Sequence, residues 1–387
     1  MTPPSGSGGF SEQPGSVGVV ETSIVRLFTD AEPLELAGGA TLGPVDVAYE
    51  TYGTLNADRS NAVFICHALT GDAHAAGFHE GAQRPGWWDN LIGPGKPLDT
   101  DRFFVISANL IGGCQGTTGP SSTNPETGEA YGLDFPLLEV ADFVTVHRAL
   151  VAHLGIDRLL AVLGGSLGGM QALHWSLAFP GDLQHALVVA SSSRLTAQNI
   201  AFSAVARRAI MADRQFKNGQ YAAEGTMPAV GLSIARMMAH ITYLSEDAFT
   251  EKFGRDPQFE TSRRGFGIDF AVESYLDHQG TTFLERFDAL SYLYLTRVMD
   301  YFDPFADPQA FDRVREDPVK FLVLSFDTDW RFSTEHSLRI VRHLESNRLP
   351  VTFRELKSAY GHDSFLLADA SYHATLRAYF DRALEDA

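Results

Sequence analysis

The stretch Leu159-Leu160-Ala161-Val162-Leu163-Gly164-Gly165-Ser166-Leu167-Gly168-Gly169 decides the reading of this chain. Five apolar residues run into a Gly-x-Ser-x-Gly turn, and the helix-forming segment Met170 to Phe179 follows. A serine flanked by glycines between a strand and a helix sits on a sharp turn. The missing side chains let the backbone crowd, and the hydroxyl projects above the sheet. Amides at the start of the new helix then face any oxyanion that forms beside Ser166. Five residues alone are a weak pattern in a chain with 35 glycines; the strand-turn-helix setting makes the pattern specific.

Working outward, short apolar runs alternate with helical ones. Val45 to Thr51, Ala62 to Cys66, Phe103 to Ala108 and Leu159 to Leu163 read as strands, with a helix over Leu138 to Leu154. Strands that are almost wholly apolar belong to a parallel sheet covered on both faces. Ala186 to Ala190 continues that pattern. From Ala197 to about Asp300 the periodicity turns helical, in Ala197 to Ala212, Pro228 to Ala239, Phe270 to Leu276 and Ser291 to Tyr301. Strands return at Lys320 to Phe326 and Val351 to Leu356, with helices at Thr334 to Glu345 and Ala370 to Ala383. The pattern predicts an α/β fold with a mostly parallel, doubly wound sheet. Residues 21–195 and 302–387 form its core, and 196–301 form an inserted helical lid. Residues 1–20, rich in Gly, Ser and Pro, read as a disordered leader, since they lack the basic and apolar regions of a signal peptide.

Composition excludes several roles. A formal charge of −18 without a basic run disfavours nucleic acid and anionic membranes as partners. Two cysteines, Cys66 and Cys114, make no disulfide framework, and no apolar run is long enough to span a bilayer, so the chain reads as soluble and cytoplasmic.

In this arrangement the partners of a nucleophilic serine follow it in the order acid, then histidine, each after a strand. Asp329 follows Lys320 to Phe326, and His362 follows Val351 to Leu356. His362 would take the Ser166 proton, and Asp329 would orient the imidazole. Asp327, two residues earlier, competes with Asp329 for that role. His336 and His343 read as packing or surface residues. The second oxyanion donor belongs in the loop His67-Ala68-Leu69-Thr70-Gly71, which assigns the backbone amides of Leu69 and Leu167. His67, Asp72, His74 and His79 cluster in sequence, but their spacing places no pair on one helix face, and no metal is assigned.

Acyl chemistry leaves the acceptor open. The segments Asn109 to Ser122, Gly164 to Met170, Gly231 to Arg236, Glu273 to Leu276 and Tyr360 to Phe365, spread between Pro44 and Leu366, resemble the homoserine O-acyltransferases of methionine biosynthesis, within the α/β-hydrolase superfamily. The resemblance implies an α/β-hydrolase fold with an inserted lid, no bound cofactor, and transfer of an acyl group from acyl-CoA through Ser166 to L-homoserine in a homodimer. It implies Ser166, Asp329 and His362 as the triad, Arg236 holding the carboxylate of the amino acid and Asp363 its ammonium. Arg331 separates the donors: acetyl-using members usually carry an apolar residue there, whereas this chain is similar to those using succinyl-CoA, as is its Ile241 to Ser245 stretch. A guanidinium suits the terminal carboxylate of succinyl and not the methyl of acetyl. The expectation is therefore homoserine O-succinyl transfer, with acetyl-CoA as the alternative donor. A serine O-acyltransferase, a serine esterase and a non-catalytic binding module stand further off.

Overall fold

The computed structural model describes residues 14–259 and 265–386. In chain order its first strands are β1 (Ser23–Phe28), β2 (Leu34–Glu35), β3 (Thr41–Leu42), β4 (Val45–Tyr52), β5 (Ala62–Cys66) and β6 (Phe104–Ala108). Helix α1 (Val140–His153), β7 (Leu159–Gly165), α2 (Leu167–Ala178) and β8 (Leu183–Val189) follow. The insertion is helical: α3 (Ala197–Ala212), α4 (Ala229–Tyr243), α5 (Glu246–Phe253), α6 (Ala271–Phe283) and α7 (Ala289–Tyr301). The chain then returns through α8 (Ala310–Glu316), β9 (Lys320–Phe326), α9 (Thr334–Ser346), β10 (Val351–Leu356) and α10 (Ala370–Glu385).

Eight strands form one sheet in the order β1-β4-β6-β5-β7-β8-β9-β10. From β6 to β10 every pairing is parallel, while β4 pairs with β6 and β1 with β4 antiparallel at one edge. Alternation across the central strands explains their composition. In β5, Ala62, Phe64 and Cys66 join the core shared with α1 and α2, and Val63 and Ile65 join the core shared with α10 and the segment around Trp88. Both faces of β5 are dry, and a polar residue there without a partner would be costly. Phe64 meets Trp175 of α2 edge-on at 5.3 Å, locking that helix over the strand that precedes the 67–71 loop.

Two elements of the reading move. Of the expected leader 1–20, residues 1–13 lie outside the described residues, but 14–20 are ordered against the core. The Val20 amide donates to Phe78 O at 2.9 Å, and Phe78 N donates to Gly18 O at 3.0 Å. Val17 and Val20 pack on the second core, supplying apolar surface that the Gly/Ser/Pro composition concealed. Strand β1 also went unread. It is an edge strand whose Ile24 is exposed and whose Arg26 pairs with Asp46 at 2.8 Å, so it lacks the continuous apolar signal of its neighbours.

The turn between β7 and α2 depends on two glycines. A Cβ on Gly164 would lie 2.2 Å from the carbonyl carbon and oxygen of Gly168, and a Cβ on Gly168 would lie 2.0 Å from Cys66 O. The helix therefore starts in direct backbone contact with the end of β5. Gly168→Ala should cost about 3 kcal/mol of stability, the upper end for overpacking a core, read by urea denaturation; a variant that unfolds with the wild type would contradict this packing account.

Candidate active site

Ser166 lies between β7 and α2 with φ 58° and ψ −122°, a conformation side-chain-bearing residues rarely adopt. Its Oγ is 2.9 Å from His362 Nε2, across 196 residues of chain. His362 Nδ1 is 2.7 Å from Asp329 Oδ2. The other carboxylate oxygen, Oδ1, accepts the backbone N–H groups of Arg331 at 3.0 Å and Phe332 at 2.8 Å, so the acid is held from both sides. An ionised carboxylate only accepts; Nδ1 therefore carries the ring proton, and Nε2 presents a lone pair to the Ser166 hydroxyl. Ser166, His362 and Asp329 are 6 %, 3 % and 2 % exposed, which strengthens each of these bonds. Asp327 is not part of this line: its Oδ1 accepts Ser358 N at 3.0 Å and ties the β9 turn to the segment after β10.

The insertion presses on both turns. Gly361 adopts φ +62°, and a Cβ there would meet Ser245 N at 2.7 Å and Tyr243 O at 2.8 Å, so only glycine fits between α4's end and His362. Trp330 Nε1 donates to Leu244 O at 3.0 Å from the turn that carries Asp329.

Leu167 opens α2, where the N–H groups of the first turn have no intrahelical acceptor, and Leu69 sits in the loop after β5. Among the described residues neither amide donates to a protein acceptor. Both are free to meet an anion.

Tyr243 gathers the remaining side chains. Its ring centroid lies 5.9 Å from the His362 ring, 5.9 Å from the Arg236 guanidinium and 5.9 Å from that of Arg331. Arg236 also stands 4.7 Å over Phe283 and donates to Thr70 Oγ1 at 3.3 Å, while its Nε is buried without a partner. Arg331, 8 % exposed, donates to Thr242 Oγ1 at 2.9 Å, and its carbonyl accepts from Asn199 Nδ2 at 2.9 Å. It is neither solvent-facing nor paired with Asp327. Among the described residues, no ion pair involves Arg236 or Arg331. The Asp363 carboxylate likewise makes no side-chain hydrogen bond among the described residues, and burial pushes it above the usual carboxylate range against the pull of His362 and Arg236.

Three groups escaped the sequence reading. Tyr243 lay within a quoted stretch without a role. Arg286 donates to Thr70 O at 2.8 Å, and burial, with Arg236 nearby, lowers its pKa. Glu50, alternating in β4, draws His74 Nδ1 at 3.1 Å and His79 Nε2 at 2.8 Å, together with Thr22 and Tyr52. Glu50, His74 and His79 are close enough to hold an ion, yet both Glu50 oxygens already accept two donors each, while His74 Nε2 is buried without a partner. His67 stands apart, its Nδ1 on Ala68 O at 2.7 Å and its Nε2 accepting Leu110 N at 3.0 Å.

Comparison with known proteins places this geometry. A profile of the alpha/beta hydrolase fold family matches residues 61–369. The homoserine O-succinyltransferase of a Nocardioides species is 56 % identical over 365 residues, covering 94 % of this chain and 99 % of the relative. That of Magnetococcus marinus is 55 % identical, with 95 % of each chain covered. Among solved structures, homoserine O-acetyltransferase from Bacillus anthracis superposes with a TM-score of 0.85 at 26 % identity, covering 94 % of this chain and 98 % of that one. Esterase E22 reaches 0.84 at 30 % identity, covering 94 % and 100 %. The chain belongs to the homoserine O-acyltransferase family of the alpha/beta hydrolase fold.

Proposed function

We propose that the protein transfers a succinyl group from succinyl-CoA to the side-chain hydroxyl of L-homoserine, as a step of methionine biosynthesis. The observation that carries the donor assignment is Arg331, a buried guanidinium with one neutral hydroxyl partner and no carboxylate. Burying an unpaired cation is costly, and an arriving carboxylate removes that cost with charge-assisted bonds. Relatives above 50 % identity bear the succinyltransferase name.

The chemistry runs in two halves. Ser166 Oγ attacks the thioester carbonyl as His362 Nε2 takes its proton, and the oxyanion is met by the amides of Leu69 and Leu167. The C–S bond breaks, CoA leaves with the proton returned by His362, and Ser166 carries the acyl group. The homoserine hydroxyl then attacks this ester, giving its proton to His362, and Ser166 recovers that proton as the product leaves. Arg236 holds the homoserine carboxylate, and Asp363 holds the ammonium. Asp329 stabilises the imidazolium in both halves. The transfer needs no metal and no bound cofactor.

A second reading, acetyl transfer, is favoured by the close superposition on the Bacillus anthracis acetyltransferase; an esterase would hydrolyse activated esters without an amino-acid acceptor. The family's homodimer is supported by exposed Val205 and Met211 on α3 and Val230, Ile234 and Ile241 on α4, an apolar stripe that a second copy would cover. Sedimentation equilibrium reads a monomer if that is wrong.

Homoserine-dependent thiol release from succinyl-CoA should exceed that from acetyl-CoA by tenfold or more, and Arg331→Leu should lower use of succinyl-CoA far more than use of acetyl-CoA. Equal loss with both donors, or a preference for acetyl-CoA, would overturn the donor assignment. Asp363 supplies a pH test. Its pKa is raised, so the carboxylate that binds ammonium is lost at a higher pH than the ~3.9 of free aspartate. The KM for homoserine should therefore rise on acidification, starting above the usual aspartate range, and in Asp363→Asn it should be high and flat across that limb. An unchanged limb in the variant would remove Asp363 from the site.

A further inference from the structure

A trans peptide carries its carbonyl and its N–H on opposite sides of one plane, so a bond to the oxygen sets where the N–H points. The Leu167 amide shares its plane with Ser166 O. Ser191 Oγ donates to that oxygen at 2.7 Å, and Met170 N approaches it at 3.2 Å from the first turn of α2. Ser191 is buried just beyond the end of β8, the strand that also receives the Ser166 amide at Val189 O, at 3.0 Å. Gln171, fully buried on α2, makes a second tie. Its Nε2 donates both to Leu167 O at 3.2 Å and to His67 O at 3.1 Å, and its Oε1 takes the proton of His147 Nε2 at 3.1 Å. Burial pushes the His147 pKa down to about 3, so that ring is a neutral donor, and its bond leaves Gln171 one orientation.

We propose that Ser191 and Gln171 are positioning residues for the oxyanion site: Ser191 aims the Leu167 amide, and Gln171 fixes the gap between the α2 terminus and the loop that carries Leu69. This rests on Ser166 being the acylated nucleophile. Oxyanion donors act through preset geometry, so a small misalignment costs rate at the chemical step and leaves ground-state binding intact. Among the described residues Gln171 is the one donor to His67 O, and no other side-chain hydrogen bond joins the two segments that bear the amides.

The test uses the full chain with Ser191→Ala, Ser191→Cys and Gln171→Met, each verified as folded by thermal melting. The first readout is the rate at which a fluorophosphonate labels Ser166. The Oγ–P bond forms, fluoride leaves and His362 takes the hydroxyl proton, so neither CoA nor homoserine is needed. The second is kcat and KM for homoserine-dependent CoA release from succinyl-CoA. Ser191→Ala and Gln171→Met should each lower both the labelling rate and kcat by about tenfold or more, with both KM values within twofold. Ser191→Cys should fall between Ser191→Ala and wild type, because a thiol is a weaker donor. Labelling and kcat within twofold of wild type, or a loss confined to KM, would overturn the proposal, as would a wild type that does not label. A wild type that labels but does not turn over succinyl-CoA would refute the substrate assignment alone, and the labelling rates would still decide the roles of Ser191 and Gln171. Should Gln171→Met fail to fold, the two Ser191 variants decide by themselves.

Discussion

The contact of Gly168 with the Cys66 carbonyl is the constraint from which the site follows. With no room for a Cβ at either Gly164 or Gly168, α2 begins against the end of β5 and the intervening Ser166 is forced to positive φ. One backbone approach thus exposes the hydroxyl, aims the helix N-terminus at the space beside it and brings the loop after β5 alongside. Three parallel strands, β7, β9 and β10, then end on the same side of the sheet and deliver serine, carboxylate and imidazole to one line of hydrogen bonds. Ligand sites of open α/β sheets gather at such carboxyl ends because each loop there is independent of the others while its root is rigid.

On the proposed reading, the insertion makes this general acyl site a selective one. Tyr243, at the end of α4, stands at the same distance from the base and from two arginines, and the Gly361 turn admits no side chain between α4 and His362. On the proposed reading, Arg236 and Asp363 recognise a zwitterion, and Arg331 recognises the far carboxylate of the acyl chain. Structural likeness alone does not separate these chemistries, since an esterase and an acetyltransferase superpose almost equally well. On that reading the unpaired cations do, because a simple ester offers them nothing to bind.

Much of this was legible in sequence, for identifiable reasons. Strands buried on both faces, such as Ala62 to Cys66 and Lys320 to Phe326, are continuous apolar runs, and the bounds read from them match those observed. The elbow and the order serine, acid, histidine located Ser166 and His362 without coordinates. Asp329 and Asp327 were harder to separate because both follow the same strand. What distinguishes them is that the turn folds the amides of Arg331 and Phe332 onto Asp329. Strand β1 and helix α8 are short and partly exposed and carry little periodic signal. Arg286 and Glu50 gain much of their environments from distant contacts with Thr70 and with His74 and His79, which no local pattern announces. The ordering of residues 14–20 rests on Val17 and Val20, two valines in a segment whose composition otherwise reads as unstructured.

The central claim is that Ser166 carries the acyl group between donor and acceptor. Brief exposure to succinyl-CoA without homoserine, followed by acid quench and peptide mass analysis, tests it most directly. The account predicts one succinyl group on the peptide containing Ser166, discharged on adding homoserine and absent in Ser166→Ala. An unmodified Ser166 peptide, or a label on Cys114 that persists when homoserine is added, would contradict it.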